Sequence, residues 1–426
     1  MTVAEGQAWR SFVLGEFLRV KHGYAFKGEH FSDSGPYIVL TPGNFYDEGG
    51  FKHKENEKYY TGDFPSDFLL KRGDLLVVMT EQKVGLLGSP AIVPEADVYL
   101  HNQRLGLIVD LDADLAHRKF LYYLFNFRGV RDQIQATANG AKVRHTSPSR
   151  IYEVEVRLPS LEAQCMIASI LSAYDDLIEN NLRRIRILEE MAQALYREWF
   201  VKFRFPGHEK VRMVESSLGE VPEGWEIKRA PDAIDFRPRT TVPKGDLKPF
   251  VPMSSLADGS MLISNVETRE GNSGSKFRNC DTLFARITPC LENGKTGFVQ
   301  FLPAPESVAL GSTEFIVLRS KSLCPELVYL MARSSEFRDN AIKSMTGASG
   351  RQRVQDGCFD KFIFAHPDKG TIAAFSGVAK PMFRRIQSLA DANTNLRKTR
   401  DLLLPKLISG DLDVSDLDIP IPEEAA

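Results

Sequence analysis

From Leu161 to Phe203 the chain contains neither proline nor glycine, and its apolar residues recur with a period of seven. Ile178, Ile185, Ala192 and Trp199 fall at one heptad position; Asn181, Leu188 and Leu195 fall at the other. This pattern predicts a long helix whose apolar seam faces a partner helix. Ser160 suits its N-cap. About forty residues at 1.5 Å each make a rod of roughly 60 Å, too long to fold back onto a domain of ordinary size. A second stretch supplies a partner: Ile386, Leu389, Leu396, Leu403 and Leu407 recur at similar spacing. Pro381 and Pro405 predict a start or a kink in it, since each removes a backbone donor. Gly410 predicts its end.

Elsewhere the apolar pattern shortens. "DLLVVM" (Asp74 to Met79), "EVEVRL" (Glu153 to Leu158) and "TEFIVLR" (Thr313 to Arg319) read as strands separated by Pro- and Gly-rich turns. Ala116 to Arg131 and Pro325 to Lys343 carry helical periodicity. The fold class is therefore α+β.

The elements occur twice. "RGDLLV" matches "NCDTLF", placing Asp74 against Asp281; "VRDQI" matches "FRDNA", placing Arg131 against Arg338 at the same offset. "FLYYL" matches "ELVYL", "ANGAKVR" matches "ASGRQRV", and "NLRRIRILEE" at Asn181 matches "NLRKTRDLLL" at Asn395. Matches in constant order at a near-constant offset indicate an internal repeat. The expected layout is a first globular domain over 1–158, a long helix over 159–205, a linker and second globular domain over 206–366, and a second helix over 367–410. Residues 411–426 carry six acids and no base, and are expected to be a disordered tail. Two similar rods that pair antiparallel as a coiled coil would hold the domains apart with pseudo-twofold symmetry.

A length of 426 residues suits two or more domains, and a net charge of −2 argues against a broad basic surface while leaving room for local basic patches. There is no apolar run of membrane-spanning length, no signal peptide is expected, and five scattered cysteines form neither a disulfide framework nor a zinc pattern. A cytoplasmic protein is expected.

The residues also resemble a known family. "LPSLEAQCMIASILSAYDDLIENNLRRIRILEEMAQALYREWFVKF" is similar to the central conserved region of specificity subunits of type I restriction-modification enzymes, and "NLRKTRDLLLPKLISGDLDV" to their C-terminal one. "SLGEVPEGWEI" resembles the entry to their second target recognition domain; "GDLLVVMT…GLLGSPAIVPE" and "DTLFARITPCLENGKTGFV" resemble segments within such domains. The resemblance implies that each globular domain reads one half of a bipartite double-stranded DNA target. The helices would set the spacer and dock two modification subunits. Those would bind S-adenosylmethionine and methylate adenine, and motor-nuclease restriction subunits could join. This chain would be a non-catalytic recognition subunit without cofactor or metal.

Chemistry of its own is weakly signalled. "ENGKT" lacks the first glycine of a phosphate loop, Pro289 standing in its place. Asp74 with Glu81-x-Lys83 gives a faint nuclease-like pattern, so a metal-dependent nuclease stays open as an alternative. A coiled-coil scaffold without DNA binding is another. DNA reading needs Arg or Lys for guanine, Asn or Gln for adenine, and cations or hydroxyls for phosphate. Candidates in the first domain are Gln82 and Lys83; Asn102, Gln103 and Arg104; and Lys142, Arg144 and His145. The second offers Arg286, Asn293 and Lys295, then Ser349, Arg351, Gln352 and Arg353, with Arg286 expected as a guanine fork. Between Asn126 and Arg150, five bases face one acid. Ile178, Ile185, Leu188, Leu195, Trp199, Leu389, Leu396 and Leu403 are the expected helix-pairing residues. Trp199 is expected in a core; Phe200 and Phe203 suit either a core or a docking surface.

Overall fold

The computed structural model describes residues 9–419 apart from 55, 83, 141, 244–246, 349, 416 and 418. The chain forms two compact units, one of residues 1–177 with 396–426 and the other of residues 178–395.

In the first unit, an antiparallel sheet orders its strands Arg19–His22, Leu105–Val109, Leu75–Val78, Pro90–Ile92. The predicted strand Leu75–Val78 is buried on both faces. Alternation divides its side chains: Leu75 and Val77 join a core with the helices, while Leu76 and Val78 join a core with a second sheet. That second sheet runs Phe31–Ser32, Tyr59–Tyr60, Tyr37–Val39, Tyr99–Leu100, its last pair parallel. Helices Arg118–Asn126 and Arg128–Ala136 are separated at Phe127, whose backbone is extended. Strands Arg10–Val13 and Glu155–Leu158 pair antiparallel and close the domain.

The second unit has the same plan. Its first sheet runs Ile234–Phe236, Phe315–Ser320, Thr282–Ala285, Thr296–Phe298. Phe284, Ile316 and Leu318 pack with the helices; Leu283, Phe315 and Val317 pack on the other side. The second sheet again contains a parallel pair, Lys248–Val251 with Val308–Gly311. Helices Pro325–Arg333 and Ser335–Lys343 part at Ser334, whose hydroxyl caps the second through Phe337 N at 3.3 Å. Strands Glu226–Arg229 and Ile363–His366 close this domain.

Residues matched in the sequence do the same work in both units. Asp74 accepts from Lys71 N and Asp281 from Arg278 N, each at 2.8 Å, fixing the turn before the buried strand. Arg131 donates to the Gly85 carbonyl, and Arg338 to those of Leu291 and Glu292 at 3.2 and 2.9 Å. Each arginine ties the loop after that strand to a helix.

The first long helix spans Leu161–Tyr196, with Ser160 Oγ accepting from Ala163 N at 3.3 Å, and a π turn continues it over Arg197–Val201. The second spans Lys369–Ser409. It runs through Pro381 and Pro405 rather than starting or breaking there. Both prolines are exposed, where water can satisfy the carbonyls they leave unpaired. Gly410, at φ +83°, ends the helix.

Both helices contribute to both units, dividing at Leu177 and Ile178 and at Asn395 and Leu396. In the first unit Gln164 accepts from His117 N at 2.9 Å and donates to the carbonyls of Leu115 and Pro159, fastening helix to domain. Asp175 accepts from Arg400 at 2.6 Å and from Tyr123 Oη at 2.7 Å. In the second unit Ile178, Ile185, Ala192 and Trp199 are buried along one seam, and Leu188 and Leu195 are partly buried beside it. Leu389 joins that core, while Leu396 and Leu403 lie half-buried in the first unit. Trp199 meets Phe375 and Asn181 meets Asn393, so these segments run antiparallel. The asparagine pair is itself tied down: Asn181 donates to Asn393 at 2.8 Å, and Asn393 to the Ile178 carbonyl at 3.2 Å. Glu189 accepts from Ser260 Oγ and Met261 N, joining the helix to its domain.

Trp199, Phe200 and Phe203 all face protein within this unit: Phe200 meets Phe375 and Trp225, and Phe203 meets Trp225. The tail departs from its expectation of disorder at its start. Leu412 N bonds the Lys406 carbonyl, and Val414 is buried in the first unit's core.

Candidate nucleic-acid interface

In the first unit, loops separate in sequence meet around Met79. Its N–H donates to the Arg104 carbonyl at 3.0 Å, and its carbonyl accepts from Thr146 N at 3.0 Å. Thr80–Glu81 pairs with Arg144–His145 as a two-residue ladder. The 102–104 turn is held by Gln103 N donating to the Tyr24 carbonyl at 3.0 Å and Asn102 Oδ1 accepting from Arg104 N at 2.9 Å. Gly23 permits that approach, since a Cβ there would lie 2.0 Å from the Asn102 carbonyl oxygen. Three of the expected loops thus share one end of the sheet. Gln82, Gln103, Arg104, Lys142 and His145 are exposed there and Asn102 is half-buried. Lys83 lies outside the described residues.

Arg144 has a different role from the expected one. It donates to Glu81 Oε1 at 3.0 Å and to the Gln135 carbonyl at 2.8 Å. Glu81 is buried, and its other oxygen accepts from Gly85 N and Leu87 N at 3.0 and 2.8 Å. The carboxylate the nuclease alternative required is thus engaged in shaping a loop. Among the described residues no group of His, Cys, Asp and Glu is placed to hold a metal.

The second unit repeats the scaffold. Arg286 N donates to the Glu314 carbonyl at 3.0 Å, and its carbonyl accepts from Val354 N at 2.8 Å. Arg353 forms bridges with Ile287 and Thr346, as His145 pairs with Thr80 and Asn139. Met79, Arg104 and His145 therefore correspond to Arg286, Glu314 and Arg353. Arg286 is not the presented fork expected of it: it is half-buried, and Nη2 donates to the Val354 carbonyl at 3.2 Å. Lys295 is also turned inward, donating to the Leu256 carbonyl at 2.8 Å and lying 3.8 Å from Asp258. Asn293 and Arg351 are exposed, Gln352 is half-buried, and Ser349 lies outside the described residues. Arg353 is exposed and gripped by Glu314: Nε lies 3.0 Å from each carboxylate oxygen and Nη2 2.8 Å from Oε1. Those hydrogen bonds hold the Glu314 carboxyl below the usual carboxylate range, with the charges of Arg286 and Arg237 acting in the same direction.

This arrangement can be set beside known proteins. Residues 7–190 match the family model described as "Type I restriction modification DNA specificity domain". The chain is 26% identical over 334 residues to the MjaIX type I specificity subunit of Methanocaldococcus jannaschii, covering 74% of this chain and 73% of that one. It is 20% identical to the HindI type I specificity subunit of Haemophilus influenzae, covering 95% and 99%. Over most of its length the chain is thus similar to type I specificity subunits. Its fold is similar to that of a solved type I restriction-modification S subunit from M. genitalium, with a TM-score of 0.57 at 13% identity over 96% of this chain and 98% of that one.

The second unit also brings together basic residues that no sequence motif marked. A groove of about 420 Å³ in the second unit is lined by Arg237, Arg239, Thr240, Ser275, Lys276 and Thr313 among others. The cations come from two separate places in the chain, Arg237 with Arg239 and Lys276, so no single run marked them. Beneath them Arg319 joins Asp281 at 2.7 Å and donates to Thr240 Oγ1 at 3.1 Å, fixing one wall. No helix among the described residues is long and apolar enough to cross a membrane.

Proposed function

We propose that this chain is a specificity subunit that reads a split double-stranded DNA target, each unit contacting one half, and is not itself a catalyst. The observation that carries the reading is the pair of loop clusters around Met79 and Arg286: one backbone scaffold, built twice, with different exposed side chains. A shared scaffold with variable polar tips suits base reading, because bases are distinguished by the donors and acceptors offered to their edges. The groove of Arg237, Arg239 and Lys276 suits phosphate, which takes cations and hydroxyls without regard to sequence. The antiparallel helices act as the spacer and as the docking site for two modification subunits that carry S-adenosylmethionine. Motor-nuclease subunits complete a restriction complex. The setting is cytoplasmic.

Mapping adenine methylation in the host with and without the gene tests this reading. A split motif should vanish with the gene. An unchanged methylome, with no salt-dependent DNA affinity in the purified chain, would leave a scaffold instead; metal-dependent cleavage by the chain alone would indicate a nuclease. The spacer role has its own test. Four residues inserted after Glu190 and at the facing level of the second helix add roughly 6 Å. At about 3.4 Å per base pair the preferred spacer should lengthen by one or two base pairs, with both half-sites unchanged. A spacer optimum that stays put would assign the distance to something else.

A further inference from the structure

Arg104 in the first unit and Glu314 in the second occupy one place on the shared scaffold, and the charge there is reversed. A carboxylate is a poor neighbour for a phosphate. Its negative charge repels the ligand and neutralises the arginine it grips. A base edge is uncharged and carries no such penalty. Arg353 also meets Glu314 through its side edge, Nε and Nη2. The end-on edge of a guanidinium, Nη1 and Nη2, carries a parallel pair of N–H groups that matches O6 and N7 of guanine. A guanidinium fixed in one plane loses less freedom on forming that pair. Bridges to Ile287 and Thr346 fix the backbone of Arg353 as well.

We infer that Arg353 reads a guanine in the half-site addressed by the second unit, and that Glu314 is the positioning residue that presets its fork. The inference rests on the DNA-reading proposal above and goes further by naming the base and the device. Phosphate contact falls to the neighbouring groove. Arg237 links the two, since it lines the groove and also acts on the Glu314 carboxyl. The first unit has His145 where the second has Arg353, with Thr80 Oγ1 3.2 Å from its Nδ1. The two half-sites should therefore differ at the corresponding position.

The test is selection from a pool of random duplexes at fixed salt, using the full-length chain purified from its host with the subunits that accompany it. The wild type should enrich a split motif with a guanine in one half. Arg353→Ala should weaken preference for that guanine about tenfold or more and leave the other half intact. Arg353→Lys should relax the same position while keeping overall affinity, because it retains charge and loses the fork. Glu314→Gln should relax it less, and Glu314→Ala more, with a steeper salt dependence as the released cation turns to phosphate. The intact other half and an unchanged thermal midpoint serve as folding controls; should Arg353→Ala not fold, Arg353→Lys and Glu314→Gln decide. An equal fall in affinity for every duplex would make Arg353 a phosphate contact and overturn the inference. So would a motif untouched by all four substitutions. A wild-type chain that enriches no motif would overturn the DNA-reading proposal, and this inference with it.

Discussion

Met79 and Arg286 make the same two backbone hydrogen bonds in their respective units, yet their surroundings differ in kind. Around Met79 the tips are Gln82, Gln103, Arg104, Lys142 and His145, exposed side chains without a carboxylate among them. The carboxylate there, Glu81, is buried and grips the half-buried Arg144, whereas around Arg286 the carboxylate of Glu314 grips an exposed arginine, Arg353, with Arg237 near enough to act on it. The difference teaches where sequence variation is cheap. The backbone bonds depend on strand order and on turns such as those of Asp74 and Asp281, so tip residues can change without disturbing the frame. The frame is not uniform either, and its differences offer the sharpest ways to test the comparison.

The largest contrast concerns the matched aspartates. Asp281 is buried and paired with Arg319, whereas Asp74 is half-buried, bonded to Lys71 N and 3.9 Å from Arg118. Asp281→Ala leaves a largely buried arginine without its counter-charge and should cost about 3–5 kcal/mol in chemical denaturation. Asp74→Ala loses one hydrogen bond and should cost about 1 kcal/mol. Equal costs would mean that the two turns are equivalent after all.

Burial lowers the pKa of a histidine in each unit, His366 in the second and His101 in the first. Burial pushes the His101 imidazole down from 6.5 to about 4, where Nε2 lies 2.9 Å from the Leu105 carbonyl. The residue after the corresponding strand in the second unit is Ser312. The folded state keeps His101 neutral while the unfolded chain protonates it below 6.5. Its contribution is therefore complete above pH 6.5 and lost as pH falls toward 4, by about 3 kcal/mol. His101→Gln should flatten the acid limb of a stability–pH profile. Identical limbs would show that other groups govern it.

A smaller contrast separates two glycines that follow the long helices. Gly410 has φ +83°, and a Cβ there would lie 2.6 Å from Trp9 Nε1; Gly207 has φ +85° and open space around it. Alanine should cost about 2–4 kcal/mol at Gly410, from backbone strain plus the collision. At Gly207 strain alone should cost about 1–2 kcal/mol. Thermal melting of the two variants checks the order.

The frame was legible in the sequence because period and repetition record packing directly. The heptad positions of Ile178, Ile185, Ala192 and Trp199 lie on a buried seam, and the repeated Arg131 and Arg338 hold equivalent loops. The site was less legible. Arg144, Arg286 and Lys295 have the right chemistry for DNA, but each is half-buried as well as bonded within its own unit, whereas Arg353, though gripped by Glu314, is exposed. Residue type does not reveal whether a guanidinium already has a protein partner. Glu314 escaped notice because a carboxylate does not look like part of a DNA-reading set. Arg237, Arg239 and Lys276 escaped because two arginines alone are a weak signal and only the fold brings Lys276 beside them. The prolines misled because the cost of proline in a helix depends on which face it occupies, and Pro381 and Pro405 are exposed.

The central claim is that two similar scaffolds read two half-sites independently. Exchanging residues 228–365 for the matching segment of a relative with another target, then mapping the methylated motif in the host, tests it most directly. The expected result is a motif with one half replaced and the other half kept. A motif changed in both halves would contradict it.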